Sequence, residues 1–280
     1  MHAAMRILFL GDVVGRSGRD AVNARLPELR RSLGVDLCVV NGENASHGFG
    51  LAPDMAEALY AAGADVITLG NHAWDRKELV GYIETERRLV RPINFPPGTP
   101  GSGSVVVDVP GGRRALVLNA MGRLFMEPLD DPFRATAECI ARHRMGPAAN
   151  PACVQAIVCD FHAEATSETA GYAHSFDGRV SLVVGTHTHV PTADHQVLAG
   201  GTAFQSDAGM CGDYDSVIGM GKEAASIRFW RRVPGERLAP ADGEATLCGL
   251  LVDTDDATGL ATRAEPVRTG GRLSQVLPSA

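Results

Sequence analysis

The stretch Leu182-Val183-Val184-Gly185-Thr186-His187-Thr188-His189 decides how the chain is read. Its apolar start predicts a buried strand, and two histidines one residue apart follow the strand's end. On extended backbone, residues two apart point the same way, so both imidazoles face one small volume. Neutral imidazole is the commonest metal ligand in proteins. A pair of surface histidines on a loop is the competing reading, and the rest of the chain separates the two.

Four more predicted strands end in the same manner. Asp12 follows residues 7–10. Asn41, Glu43 and Asn44 follow 37–40, and Asn71 and His72 follow 66–69. Asp160 and His162 follow 154–159. In open parallel sheets ligands bind outside the carboxyl ends of the strands, where these five clusters would converge. Between the strands, residues 18–33 carry Val22, Leu26, Leu29 and Leu33 at helical spacing. Residues 53–62 open on Pro53 and stop before Gly63, and a third helix is expected over 75–83. Strand–helix alternation predicts βαβ units with parallel strands.

Further on, residues 91–103 are rich in Pro and Gly and predict a long ordered loop. A β-hairpin is expected over 105–109 and 115–118, a helix over 133–144, and strands at 154–159 and 180–184. Beyond Gly200 the pattern is β-rich, with 202–204, 225–230 and 246–252 as candidate strands. There is no internal repeat and no compositional break. The expectation is one α/β domain over residues 1–280 with two packed sheets, its motifs within 5–221 and a loosely held tail from about residue 270.

Composition narrows the function classes. Hydrophobic residues make up 45% and charged residues 21% of 280, the profile of a globular protein with a substantial core. The net charge is -7 without any Lys/Arg run, so duplex nucleic acid is not an expected partner, whereas a small phosphate ligand is compatible. None of the six cysteines forms a Cys-x-x-Cys pair, which excludes a zinc ribbon or thioredoxin motif. No apolar run reaches membrane-spanning length, and residues 5–10 are too short for a signal peptide. A reduced, cytoplasmic protein without a membrane partner is expected, and assembly into a homo-oligomer is compatible with the sequence.

The donor types point to chemistry. Asp, Glu, Asn and three His form an oxygen/nitrogen set without thiolate, which suits iron, manganese or zinc and suits calcium poorly. There are too many donors for one four-coordinate ion, and Glu43 is a carboxylate able to bridge two. Paired ions clamp the attacking and leaving oxygens of an in-line displacement at phosphorus and generate a nucleophilic hydroxide near neutral pH. Two other readings are weaker. Gly11, Gly15 and Gly18 lack G-x-G-x-x-G spacing, and Asp12 would set a negative charge where a pyrophosphate must sit. Asp160, His162 and Glu164, taken alone, read as a charged surface loop. His143, His174 and His195 are isolated and read as structural or exposed.

Gly70-Asn71-His72 and Gly185-Thr186-His187-Thr188-His189 resemble the signature blocks of the calcineurin-like metallophosphoesterases. Within that superfamily the chain is most similar to the YmdB-like branch of cyclic-nucleotide phosphodiesterases. The segments that carry the similarity are 11–15, Asn41-Gly42-Glu43-Asn44, 69–75, 161–168, 184–194 and 213–219. The superfamily's usual Asp-x-His reads Asp12-Val13-Val14 here, its bridging Asp is replaced by Glu43, and Gly-Asn-His-Glu reads Gly-Asn-His-Ala. Those departures are the ones expected of the branch, and they argue against a phosphoprotein-phosphatase specificity.

The resemblance implies an α/β metallophosphoesterase-type double β-sandwich, two mixed sheets flanked by helices in αββα layers. It implies one ion held by Asp12, Glu43, Asn44 and His189, and a second held by Glu43, Asn71, His162 and His187, with Glu43 bridging. His72 would bind no metal; it would face the substrate and protonate the leaving oxygen. Asp75 either orients His72 or caps a helix. The implied cofactors are two divalent or trivalent transition metal ions, iron or manganese, with zinc as the alternative. The implied reaction is hydrolysis of a small phosphodiester, a 2′,3′- or 3′,5′-cyclic nucleotide, by in-line attack of a metal-bridging hydroxide. The rival readings are a phosphomonoesterase or nucleotidase on the same centre, and a low-turnover regulatory protein acting on RNA-processing partners. A further rival, an RNA-cleaving nuclease, would want a basic track that the composition lacks.

Overall fold

The computed structural model describes residues 4–231 and 237–279. Strand β1 (Ala4–Leu10) builds two layers at once: Ile7 and Phe9 join one core cluster, Leu8 and Leu10 another, and all four are fully buried. A strand covered on both faces reads as a continuous apolar run, which is why its sequence shows no alternation.

Along the chain follow α1 (Gly15–Leu33), β2 (Leu37–Asn41), α2 (Pro53–Ala62), β3 (Val66–Thr68), α3 (Leu79–Ile83) and β4 (Leu89–Val90). Next come the hairpin β5 (Ser104–Val109) and β6 (Arg113–Met121), α4 (Pro132–Ile140), the short pair β7 (Arg144–Met145) and β8 (Cys153–Val154), β9 (Ala156–His162), α5 (Thr166–Phe176) and β10 (Leu182–Thr186). The order of described elements ends with β11 (Gln196–Val197), β12 (Ala203–Gln205), β13 (Gly212–Asp213), α6 (Lys222–Arg231), β14 (Ala245–Asp255) and β15 (Ala261–Thr269).

Seven strands form one sheet in the order β13-β14-β1-β2-β3-β4, with β15 paired to β14. Six form a second, β11-β12-β10-β9-β6-β5. Each has a parallel centre and antiparallel margins: β1 to β4 are parallel while β14 runs against β1, and β6, β9, β10 and β12 are parallel while β5 and β11 run against them. The inner faces meet in a shared core of Ile7, Phe9, Val39, Val117, Val158, Val184 and Leu250, among others. Helices α1 and α2 cover the outer face of the first sheet, and α4 and α5 that of the second. The result is the αββα sandwich expected.

Local chemistry explains the helices. α1 buries Val22, Leu26, Leu29 and Leu33 on one stripe and ends at Gly34, whose φ of 64° few other residues adopt. Burying each such side chain is worth about 1.5–3 kcal/mol. α2 begins on Pro53, where a missing N–H costs nothing, and the Asp131 carboxylate caps α4 by accepting from the Phe133 and Arg134 N–H groups.

Three expectations need correction. Residues 225–230 lie within α6 rather than on a strand, and Phe229 and Trp230 are exposed there, so the apolar run does not mark burial. The third helix starts at Leu79, not Asp75. The helix expected over 133–144 stops at Ile140, and residues 144–145 pair with β8 instead. Residues 91–103 are an ordered loop, as expected, but the organising residue is a cation: the nearly buried Arg91 guanidinium donates to the carbonyls of Pro92, Thr99, Pro100 and Gly101. Arg268 and Val276 form a bridge near the C-terminus. All six cysteines are free and buried. Among the described residues, no helix is long and apolar enough to cross a membrane.

Candidate metal centre

Parallel strands send their carboxyl ends to one edge of each sheet, and the donors collect there. β1 delivers Asp12, β2 delivers Glu43 and Asn44, and β3 delivers Asn71 and His72 from the seven-stranded sheet. β9 ends on His162, and the turn after β10 carries His187 and His189 from the six-stranded sheet. Asp12, Glu43, Asn44, His162 and His189 are buried, with His187 and Asn71 partly so.

Four donor atoms crowd one position. His162 Nε2 lies 2.9 Å from Asn71 Oδ1, 3.1 Å from His187 Nδ1 and 2.9 Å from Glu43 Oε1, the last outside hydrogen-bonding geometry. A second group gathers beside it: His189 Nε2 lies 3.2 Å from Asn44 Oδ1 and 3.8 Å from Asp12 Oδ1. Gly70 permits the first group to close, because a Cβ there would collide with the Glu43 carboxylate and the His162 ring. Gly185, inside β10, lets that strand close on the segment after β12, where a side chain would strike the Ser206 carbonyl.

The outer edge of every imidazole is already engaged. His162 Nδ1 is 2.8 Å from Thr186 Oγ1, His187 Nε2 is 3.2 Å from a Glu164 carboxylate oxygen, and His189 Nδ1 is 2.8 Å from the Ile218 carbonyl. An acceptor at one ring nitrogen places the proton there and leaves the other nitrogen bare. The three bare nitrogens all turn inward. They meet Asp12 Oδ1 and Glu43 Oε1, two buried carboxylate oxygens without a hydrogen-bond partner. Lone pairs facing lone pairs at this range repel unless a cation lies between them. The donor set therefore fits transition metal ions: carboxylate, amide oxygen and imidazole, without sulfur.

Protons stand in for that cation in the metal-free protein. Burial opposes charge on His162, but the Glu43 and Asp12 carboxylates reverse this and raise its pKa to about 9. Burial would also lift Glu43, and the His162 charge instead holds it well below the usual range. Burial dominates elsewhere, raising Asp12 to about 7 and lowering His187 to about 3.

His72 sits at the rim. Its backbone N–H donates to Glu43 Oε2, and its Nδ1 is 2.9 Å from Asp75 Oδ2. Asp75 thus meets the imidazole and lies four residues ahead of α3, not at its cap. Phe49 packs edge-on against the ring at 5.1 Å.

One carboxylate near the centre went unread in the sequence, and another stands elsewhere than its surface-loop reading placed it. Asp207, after β12, accepts from the Thr188 N–H and hydroxyl and from the Gly209 N–H. It pins the turn between His187 (φ 102°) and His189 (φ 66°), both in a region costly for non-glycine residues. Asp160 is no surface residue: with His162 it is fully buried, and its oxygens bond Thr186 and Asn41 rather than facing the donor cluster. A strand-end phase could have flagged Asp207, since it follows an apolar strand as the other donors do. The segment 213–219 also finds its use here. Ile218 locks His189 Nδ1, and the Tyr214 hydroxyl donates to the His189 carbonyl. Isolated His143 hydrogen-bonds within its own turn, at the Cys139 carbonyl.

Known proteins share this frame. A 2′,3′-cyclic-nucleotide 2′-phosphodiesterase of Bacillus subtilis is 46% identical over 263 residues, covering 94% of this chain and 96% of that protein. A crystal structure of a hypothetical protein from Thermus thermophilus superposes with a TM-score of 0.87 at 41% identity, covering 96% of this chain and all of that one. A phosphatase structure from Mycoplasma pneumoniae superposes equally well, TM-score 0.87, at 33% identity over 96% of this chain and 95% of that one. The family model described as YmdB-like protein matches residues 8–267. The chain belongs to the YmdB-like family, and it is a phosphoric ester hydrolase of the phosphodiesterase kind.

Proposed function

We propose that the chain is a dinuclear metal-dependent phosphodiesterase whose substrates are small 2′,3′-cyclic nucleotides. The observation that supports this most is the inward turn of three bare imidazole nitrogens onto two unpartnered carboxylate oxygens. Asp12, Glu43, Asn44 and His189 would hold one ion, and Glu43, Asn71, His162 and His187 the other, with Glu43 shared. Iron or manganese suits this set, with zinc as the alternative. When bound, the ions supply an activated hydroxide and offset the charge that builds on the phosphoryl oxygens.

The chain's own residues do the rest. The phosphodiester sits over the cluster with His72 at its open rim. As a hydroxide oxygen, formed from water that has released one proton to solvent, bonds to phosphorus, the P–O2′ bond breaks and the ribose O2′ takes a proton from His72 Nε2, leaving a 3′-phosphate. His72 then regains its proton from solvent. Asp75 accepts from Nδ1–H and fixes the ring with Nε2 toward the substrate. The Bacillus subtilis relative's name, which specifies the 2′-ester bond, supports this choice of bond. The Mycoplasma pneumoniae phosphatase favours a second reading, phosphomonoester hydrolysis on the same centre.

Elemental analysis of anaerobically purified protein, joined to a panel of 2′,3′- and 3′,5′-cyclic nucleotides, nucleoside monophosphates and an aryl phosphodiester, tests both. About two transition metal ions per chain and turnover of the 2′,3′-cyclic compounds to 3′-nucleotides are expected. Protein without metal, inactive even after adding Mn²⁺ or Fe²⁺, overturns the proposal. Preference for monophosphates moves it to the second reading.

A further inference from the structure

Asp160, Thr186, Asn41 and His162 form a fully buried polar chain that the reaction does not itself require. Water has no access, so the direction of each hydrogen bond is set within the chain. The backbone N–H of Glu43 can only donate, and its acceptor is Asn41 Oδ1 at 3.1 Å. Asn41 must then offer its amide nitrogen on the other side, where Asp160 Oδ2 accepts at 3.0 Å. The second Asp160 oxygen lies 2.7 Å from Thr186 Oγ1. Both Asp160 oxygens accept, Oδ2 from the Asn41 amide and Oδ1 from Thr186, so the one hydroxyl proton of Thr186 points to Asp160. Thr186 Oγ1 is left as an acceptor toward His162 Nδ1, 2.8 Å away. That nitrogen holds the ring's inner proton, and Nε2, facing Asn71 Oδ1 and His187 Nδ1, is the nitrogen left to exchange a proton for a metal ion.

We propose that Asp160, acting through Thr186, is the positioning residue that fixes His162 as its Nδ1–H tautomer and so keeps Nε2 open to a metal ion. The inference rests on the dinuclear reading above. It also gives the buried charge a purpose: a carboxylate two bonds from the ion position makes the imidazole a better ligand without occupying a coordination site. The polarity begins at the backbone of Glu43, so the bridging residue and the most deeply buried imidazole are set by one network.

A near-isosteric change reverses the polarity. In D160N the oxygen of the new amide must face Asn41 Nδ2, because Asn41 is held by the Glu43 N–H. Its NH₂ group then faces Thr186, whose proton turns toward His162 Nδ1. The ring is forced into the Nε2–H tautomer, which cannot bind the ion. T186V removes the link without reversing it, and T186S keeps it.

The test loads wild type, D160N, T186V and T186S with Mn²⁺ from the metal-free state and measures ions bound per chain by titration, with kcat and KM for a 2′,3′-cyclic nucleotide. Outer partners of metal-bound imidazoles typically matter 10–100-fold in affinity or activity, so D160N should weaken one of two ions by about 100-fold and T186V by about 10-fold. T186S should match wild type, and the losses should fall on kcat more than on KM. ¹⁵N spectra of Zn²⁺-loaded, histidine-labelled wild type should show His162 protonated at Nδ1. A D160N protein that binds both ions with wild-type affinity overturns the relay and leaves the centre standing; should D160N not fold, equal affinity in T186V and T186S does the same. Wild type that binds no Mn²⁺ overturns the centre, and the relay with it.

Discussion

The two sheets contribute unlike halves to the site. The seven-stranded sheet supplies oxygen donors, Asp12, Glu43, Asn44 and Asn71, whereas the six-stranded sheet supplies imidazoles, His162, His187 and His189. The oxygen half is braced by its own backbone: Asn44 donates to the Gly48 carbonyl, and the His72 N–H holds Glu43. The imidazole half is braced by proton placement, one acceptor behind each ring. Strain is also one-sided, since His187 and His189 take positive φ and none of the four oxygen donors does. Metal ions would then be the fastener between two sheets that otherwise meet through an apolar core.

If that contrast holds, Glu43 is its weakest point. E43A should remove charge from both ion positions and leave His162 without its counter-ion. Activity should fall to background and the protein should hold fewer than one ion per chain, measured by elemental analysis after desalting. Full activity in E43A would break the bridging assignment outright.

The histidine pair sharpens the contrast from the other side. His187 Nδ1 meets His162 and groups with Glu43, whereas His189 Nε2 faces Asn44 and Asp12. H187A and H189A should each lower kcat/KM by about 100-fold or more, as expected when a metal's first ligand is lost rather than its outer partner. They should differ in which ion goes: Mn²⁺ titration of the two variants should give one remaining site each, with unequal affinities. Equal residual affinities would mean that both imidazoles serve one position.

H72A separates chemistry from metal binding. A positioned general acid is worth about 10²- to 10⁴-fold, so kcat should fall within that range while metal content stays at the wild-type level. D75N should follow it with a smaller loss. Metal loss in H72A would move His72 into the coordination sphere.

Much of this was legible because strand-end residues obey a simple phase. Asp12, Glu43, Asn44, Asn71, His162, His187 and His189 each follow an apolar run, and the fold brings them together at neighbouring strand ends. What stayed hidden depended on contacts between distant segments. Asp160 cannot be told from a surface carboxylate until β9 pairs with β10 and Asn41 reaches it from the other sheet. Asp207, though it shares the strand-end phase, shows its role only against the turn after β10. Arg91, in a loop that reads only as Pro/Gly-rich, needed four carbonyls from the same loop folded back on it. α6 misled for the opposite reason: Ile227, Phe229 and Trp230 supply the apolar pattern of a strand, yet they stand on a helix with Phe229 and Trp230 in the open.

The smallest effect concerns the fastener itself, and pH reads it. In the metal-free protein His162 titrates at about 9, above the ordinary histidine value of 6.5, because Glu43 and Asp12 outweigh its burial. A group with a raised folded pKa stabilises fully below its unfolded value and loses that contribution as pH rises through the folded one. Asp12 and Asp207, raised by burial to about 7, add loss in the same direction as they ionise. The Tm of metal-free protein should therefore fall between about pH 6.5 and pH 9. Metal-loaded protein should stay level across that window, since an ion replaces the proton between the same atoms. A metal-free Tm that rises over this range would show that the imidazolium does not join the two halves, and the contrast between the sheets would lose its energetic meaning.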